Sequence, residues 1–83
     1  MNIKSSFINY LKDKNYIIGI YDNSLYIYNY QKLIDFNNKE VILVINNNYF
    51  YIGGNNLKIV RLEKRELLIN GKITSFRIED INE

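Results

Sequence analysis

Apolar residues along this chain gather in short runs separated by Asn, Gly and charged residues. The runs are too short for helices and are rich in Ile, Leu, Val and Tyr, so they read as strands. Tyr16 to Tyr21 and Ser24 to Tyr30 pair across Asp22-Asn23 as a first hairpin. In the second run, Leu25 and Ile27 take one face while Tyr26, Tyr28 and Tyr30 take the other, as the two-residue period of a strand requires. Lys32 to Phe36, Glu40 to Ile45 and Tyr49 to Ile52 follow, separated by Asn37-Asn38 and Asn46-Asn47-Asn48. Val41, Leu43 and Ile45 share one face, and Ile42 and Val44 make the opposite face apolar as well. Such a strand is covered on both sides or lines a subunit contact.

The segment Ile52 to Ile73 carries the strongest punctuation. Gly53-Gly54-Asn55-Asn56 predicts a turn, Glu63 to Glu66 a charged turn, and Asn70-Gly71 a type I′ hairpin, whose two central residues both need positive φ. Gly54, Asn70 and Gly71 are therefore the expected structural turn residues. Leu57 and Ile59 share a face, but the apolar phase then moves to Val60 and Leu62, which predicts a bulge or bend near Val60. The expected fold is all-β: an antiparallel meander of about seven or eight short strands forming a small sandwich or open barrel over residues 16–83. Ahead of it, Ile3, Phe7 and Leu11 recur at i, i+4 and i+8. They predict a short helical arm over residues 1–15, docking its apolar face on the sheet in preference to a membrane.

Composition narrows the function classes. A chain of 83 residues is expected to form one domain with a modest core. It contains neither Cys nor His, which excludes thiolate nucleophiles, Ser-His triads and the usual zinc sites. No cofactor or metal is expected, and no apolar run reaches the length of a transmembrane helix. With no signal peptide visible at the start, a cytoplasmic location is the expectation. The net charge of +2 is too small to argue for nucleic acid on its own.

Candidate chemistry is sparse. Asp22, Asp35 and Glu40 lie near turns, where carboxylates are ordinarily solvated, and no nucleophile–base set assembles around them, so no catalytic residue is assigned. Gly53-Gly54 does not open a helix, so it lacks the context of a phosphate-binding loop. Tyr26, Tyr28, Tyr30, Tyr49 and Tyr51 are the candidate interaction face. Flanked by Lys32, Lys39, Lys58 and Arg61, they offer a stacking platform for single-stranded nucleic acid as an alternative. Cross-strand packing or a protein contact is the favoured reading, because Tyr buries a large ring while keeping a polar tip. The 14 Asn and 15 Ile among the 83 residues suggest an AT-rich genome, which by itself raises the Tyr count.

The spacing Ile52-x-Gly54-x-x-Leu57-x-Ile59-x-x-Leu62, followed by Glu66-Leu67-x-Ile69-x-Gly71-x-Ile73, resembles the YabP/YqfC family of sporulation proteins. Leu25-x-Ile27-x-Asn29-Tyr30 and Glu40-Val41-x-Leu43 fit the same pattern, so the resemblance runs over residues 24–78. The short N-terminal part looks more like the YqfC branch. Gly53 departs from the charged residue that the family carries before its second glycine, a difference confined to turn geometry. The resemblance implies a protein made in the mother cell during endospore formation that contributes to spore-envelope assembly. It brings no catalytic residue with it. The expected function is therefore non-enzymatic, through self-association or a protein partner.

Overall fold

The computed structural model describes residues 16–81. The helical arm expected over residues 1–15 lies outside the described residues. Six strands follow in order: β1 (Ile17–Tyr21), β2 (Ser24–Tyr28), β3 (Lys32–Phe36), β4 (Glu40–Ile45), β5 (Asn48–Leu62) and β6 (Glu66–Asp80). All pair antiparallel in one open sheet of order β1-β2-β6-β5-β4-β3, with β1 and β3 at its edges. Among the described residues there is no helix.

The expected count of seven or eight strands is corrected to six, because two expected turns do not turn. Gly53-Gly54-Asn55-Asn56 lies inside β5, and Asn70-Gly71 lies inside β6. Both stretches are paired on either side, and those long-range hydrogen bonds override the local preference of Asn and Gly for turns. Asn70 lies opposite both Ser24 of β2 and Lys58 of β5. The type I′ signature appears instead at Asn46-Asn47, with φ of 51° and 62°, in the two-residue loop closed by the Ile45–Asn48 pair.

What the glycines do is bend the β5–β6 ribbon. The register shifts between Gly53 and Gly54, again between Asn55 and Lys58, and again between Ile59 and Arg61, where Val60 is the extra residue. The last is the bulge that the change of apolar phase predicted. Bulges raise local twist and turn the strand. Gly71 sits at φ 135°, a conformation that side chains resist. Two hairpin turns brace the bend. The Gly71 amide donates to the Asn23 carbonyl at 3.0 Å, while Gly54 and Leu57 amides donate to Lys39 and Asn38 carbonyls at 2.9 Å.

The bend divides the sheet into two halves. One holds β1, β2 and the ribbon's turn end; the other holds β3, β4 and the ribbon's open end. They close over one core of Leu25, Ile27, Val41, Leu43, Ile45, Phe50, Ile52, Leu57, Leu67 and Ile69, all nearly inaccessible. The Tyr16 and Phe50 rings lie 5.9 Å apart, edge to face. Tyr16 precedes β1, three strand steps from β5, and a flat sheet would hold those strands about 14 Å apart. Their contact therefore requires the curvature. Among the described residues no polar or charged side chain is buried.

Candidate interaction surface

The outward face of the sheet carries four of the five candidate tyrosines, and the bend separates them into two pairs. Tyr26 and Tyr28 stand on β2, opposite Leu68 and Glu66 of β6. Tyr49 and Tyr51 stand on β5, opposite Val44 and Ile42 of β4. Tyr30 joins neither pair. It follows β2, packs against the core, and donates its hydroxyl to the Glu63 carbonyl at 2.8 Å.

Each pair has structural partners. The Tyr26 hydroxyl donates to Glu66 Oε2 at 2.6 Å. Burial first, then this bond and the carboxylate's charge, push the phenol up to about 12. On the other half the Tyr49 and Tyr51 rings lie 6.3 Å apart and flank the half-buried Val44 and Ile42. The second apolar face of β4 is thus partly covered by tyrosine rings. The Arg77 guanidinium lies 4.1 Å from the Tyr51 ring centre and pairs with Glu79. Burial and the Glu79 carboxylate raise the Tyr51 hydroxyl above its ordinary value, against the opposing effect of Arg77.

Residues of three expected turns meet at a hollow of about 450 Å3 beside the bend, lined by Asn23, Ser24, Asn55, Asn56, Asn70 and Lys72 together with Gly71. Ser24 donates to Asn70 Oδ1 at 2.9 Å across it. Lys72 is its one ionisable side chain, so it holds no acid–base pair. Asp35 and Glu40 lie on β3 and β4, away from this hollow.

What the sequence did not single out is the outer side of β6. β2 stops pairing at Asn70, and beyond Gly71 no described strand pairs with β6 on that side. Phe76 and Ile78 lie here, on the same face as the core residues Phe50 and Ile52, yet 41% and 50% exposed. The ring of Phe76 meets that of Phe50 edge to face at 5.7 Å. Among the described residues the core layer therefore runs out to an open edge, where these two side chains are about half exposed. The one available signal was the alternation of Phe76 and Ile78, which continues the core face past the point where any further strand remains to cover it.

The defining pattern of the YabP family matches residues 12–82. The chain belongs to the YabP family. This membership points to a sporulation-related role and agrees with the resemblance read from the ribbon's glycines and apolar spacing. The match is to the family as a whole and carries no branch assignment. No curated protein and no solved structure matches the chain. Among the described residues, no helix is long and apolar enough to cross a membrane.

Proposed function

We propose that this YabP-family chain is a non-enzymatic sporulation protein that acts by protein–protein contact, in the mother cell, during assembly of the spore envelope. The observation that carries the reading is the open edge of β6, where Phe76 and Ile78 extend the core layer into solvent. Exposed apolar groups beside backbone that no described strand pairs are the ordinary substrate of β-sheet augmentation.

The nucleic-acid alternative loses ground on three counts. The tyrosines are divided by the bend, Arg77 lies over the Tyr51 ring, and carboxylates of Glu66 and Glu79 stand beside Tyr26 and Tyr51. The division and the occupied ring face leave less room for base stacking, and the carboxylates repel a polyanion.

The test is genetic. In a spore-forming host, the native copy is replaced by one carrying Phe76→Ser and Ile78→Ser, with its cellular level checked by immunoblot. The expected result is a loss of heat-resistant spores matching that of the deletion strain. Equal yields of resistant spores from wild type, double variant and deletion would overturn the reading.

A further inference from the structure

Open sheet edges invite pairing, and folded proteins ordinarily guard them with short length, bulges or charge. Three of the four edges in this sheet are guarded. β1 is five residues long. β3 is broken by a register shift between Leu33 and Asp35. The outer side of β5 beyond the bend carries the Val60 bulge, flanked by Lys58 and Arg61. The fourth edge differs. From Ser75 to Glu79, β6 pairs with β5 residue by residue without a shift, while its other side meets no described strand. Every side chain in that run is exposed.

We propose that this edge binds a second copy of the same chain, antiparallel, with the two-fold axis at Ile78. The proposal rests on the reading that the β6 edge is the interaction surface, and it names the occupant. The charges select it. Arg77 and Glu79 share the outward face of β6, since they lie opposite Tyr51 and Tyr49. With Ile78 on the axis, Arg77 faces Glu79 of the second copy and Glu79 faces its Arg77. Opposite charges directly across an antiparallel pair are favourable, and like charges are not. Ile78 then lies against its own counterpart, with Phe76 diagonal to it, so the exposed end of the core layer is covered from both sides.

Neighbouring registers fail on the same residues. Because side chains alternate faces, the strands can slide only in steps of two residues. One step places Arg77 against Arg77. The step in the other direction places Glu79 against Glu79. A register centred on Phe76 leaves Arg77 opposite Ser75 and carries the pairing across the register shift between Ser75 and Ile73. A two-fold contact of this kind closes on itself, so it makes a dimer and not a fibre.

Charge reversal tests both the occupant and the register. Gel filtration with light scattering should show wild type shifting from monomer to dimer as concentration rises. Arg77→Glu and Glu79→Arg should each weaken the dimer by about tenfold or more, because each places like charges across both pairs. Mixing the two variants restores two opposite-charge pairs and should restore dimerisation, which also shows that each variant is folded.

Cysteine cross-linking fixes the axis, since the chain has no cysteine of its own. Ile78→Cys should form a disulfide-linked dimer under mild oxidation, its two Cα atoms standing about 5 Å apart. Phe76→Cys should not, being offset from its counterpart by about 14 Å.

A wild-type protein that stays monomeric at high concentration overturns the proposal. So does a mixture of the two charge variants that fails to associate, or cross-linking through Phe76→Cys in place of Ile78→Cys. Monomeric wild type together with a sporulation defect in the Phe76→Ser, Ile78→Ser strain would remove the second copy as occupant. The role proposed for the surface would still stand.

Discussion

The amide of Gly71 donates to the carbonyl of Asn23 across 3.0 Å and ties the β1–β2 turn to the bend of the β5–β6 ribbon. Gly71 reaches this position only at φ 135°. A Cβ there would stand 2.9 Å from the Asn56 carbonyl oxygen and 2.9 Å from Leu57 Cδ2. Gly71→Val combines a forbidden backbone region with that crowding, so it should destabilise by about 2 kcal/mol or more. Urea unfolding measures it. An unchanged midpoint would mean that the ribbon bends some other way.

Gly53 and Gly54 are neighbours whose replacements should behave differently. A Cβ on Gly54 would collide with the Lys72 carbonyl oxygen, which the ribbon's own hydrogen bonding holds in place. A Cβ on Gly53 would meet the Ser75 hydroxyl, which can rotate away. Gly54→Ala should therefore cost about 2–3 kcal/mol and Gly53→Ala under about 1 kcal/mol, by the usual cost of overpacking. Equal losses in thermal unfolding would contradict the close approach at Gly54.

The first four strands were legible in the sequence, and the last two were legible only in pieces. Lys32 to Phe36 and Glu40 to Ile45 have in the structure the boundaries that the sequence predicts. Each is a short apolar run, and Asn residues close it. Leu25 and Ile27, which the two-residue period puts on one face, both lie in the core. The sequence pattern breaks the ribbon at Gly53 and at Gly71 because the same residues serve a tight turn and a bend between long paired strands. Local sequence does not separate the two; the pairing of Asn70 with Lys58, twelve residues earlier, does. The β6 edge was invisible for a related reason. Which strand lacks a neighbour depends on the order of the whole sheet, and no short window of residues contains that.

The genuine type I′ loop gives a test where none was expected. Asn46 and Asn47 both adopt positive φ, which Asn tolerates and a β-branched residue resists. Asn47→Gly should be neutral or stabilise by a few tenths of a kcal/mol, as Asn-Gly is the preferred pair for this loop. Asn47→Val should destabilise by about 1–2 kcal/mol. Asn70→Val should not carry that backbone penalty, since Asn70 is absent from the positive-φ positions. Comparing the three variants in chemical denaturation tells the loop from the bend.

The Tyr26–Glu66 hydrogen bond makes stability depend on pH at the alkaline end. Burial and the neighbouring carboxylate raise the Tyr26 phenol from 10.0 to about 12 in the folded protein. A pKa raised on folding means that the folded state holds the proton more tightly than the unfolded chain. The associated stability is therefore complete below about pH 10 and is lost as pH climbs toward about 12. Allowing for the partial exposure of the pair, it amounts to about 1–2 kcal/mol. Tyr26→Phe should be less stable than wild type by about 1 kcal/mol near pH 8, and the gap should narrow above about pH 10. Subtracting the variant's phenolate absorbance titration from that of wild type should leave one transition with its midpoint about two pH units above an ordinary tyrosine. A difference curve centred at the ordinary value, or a stability gap that widens with alkali, would show that Glu66 does not hold the Tyr26 proton.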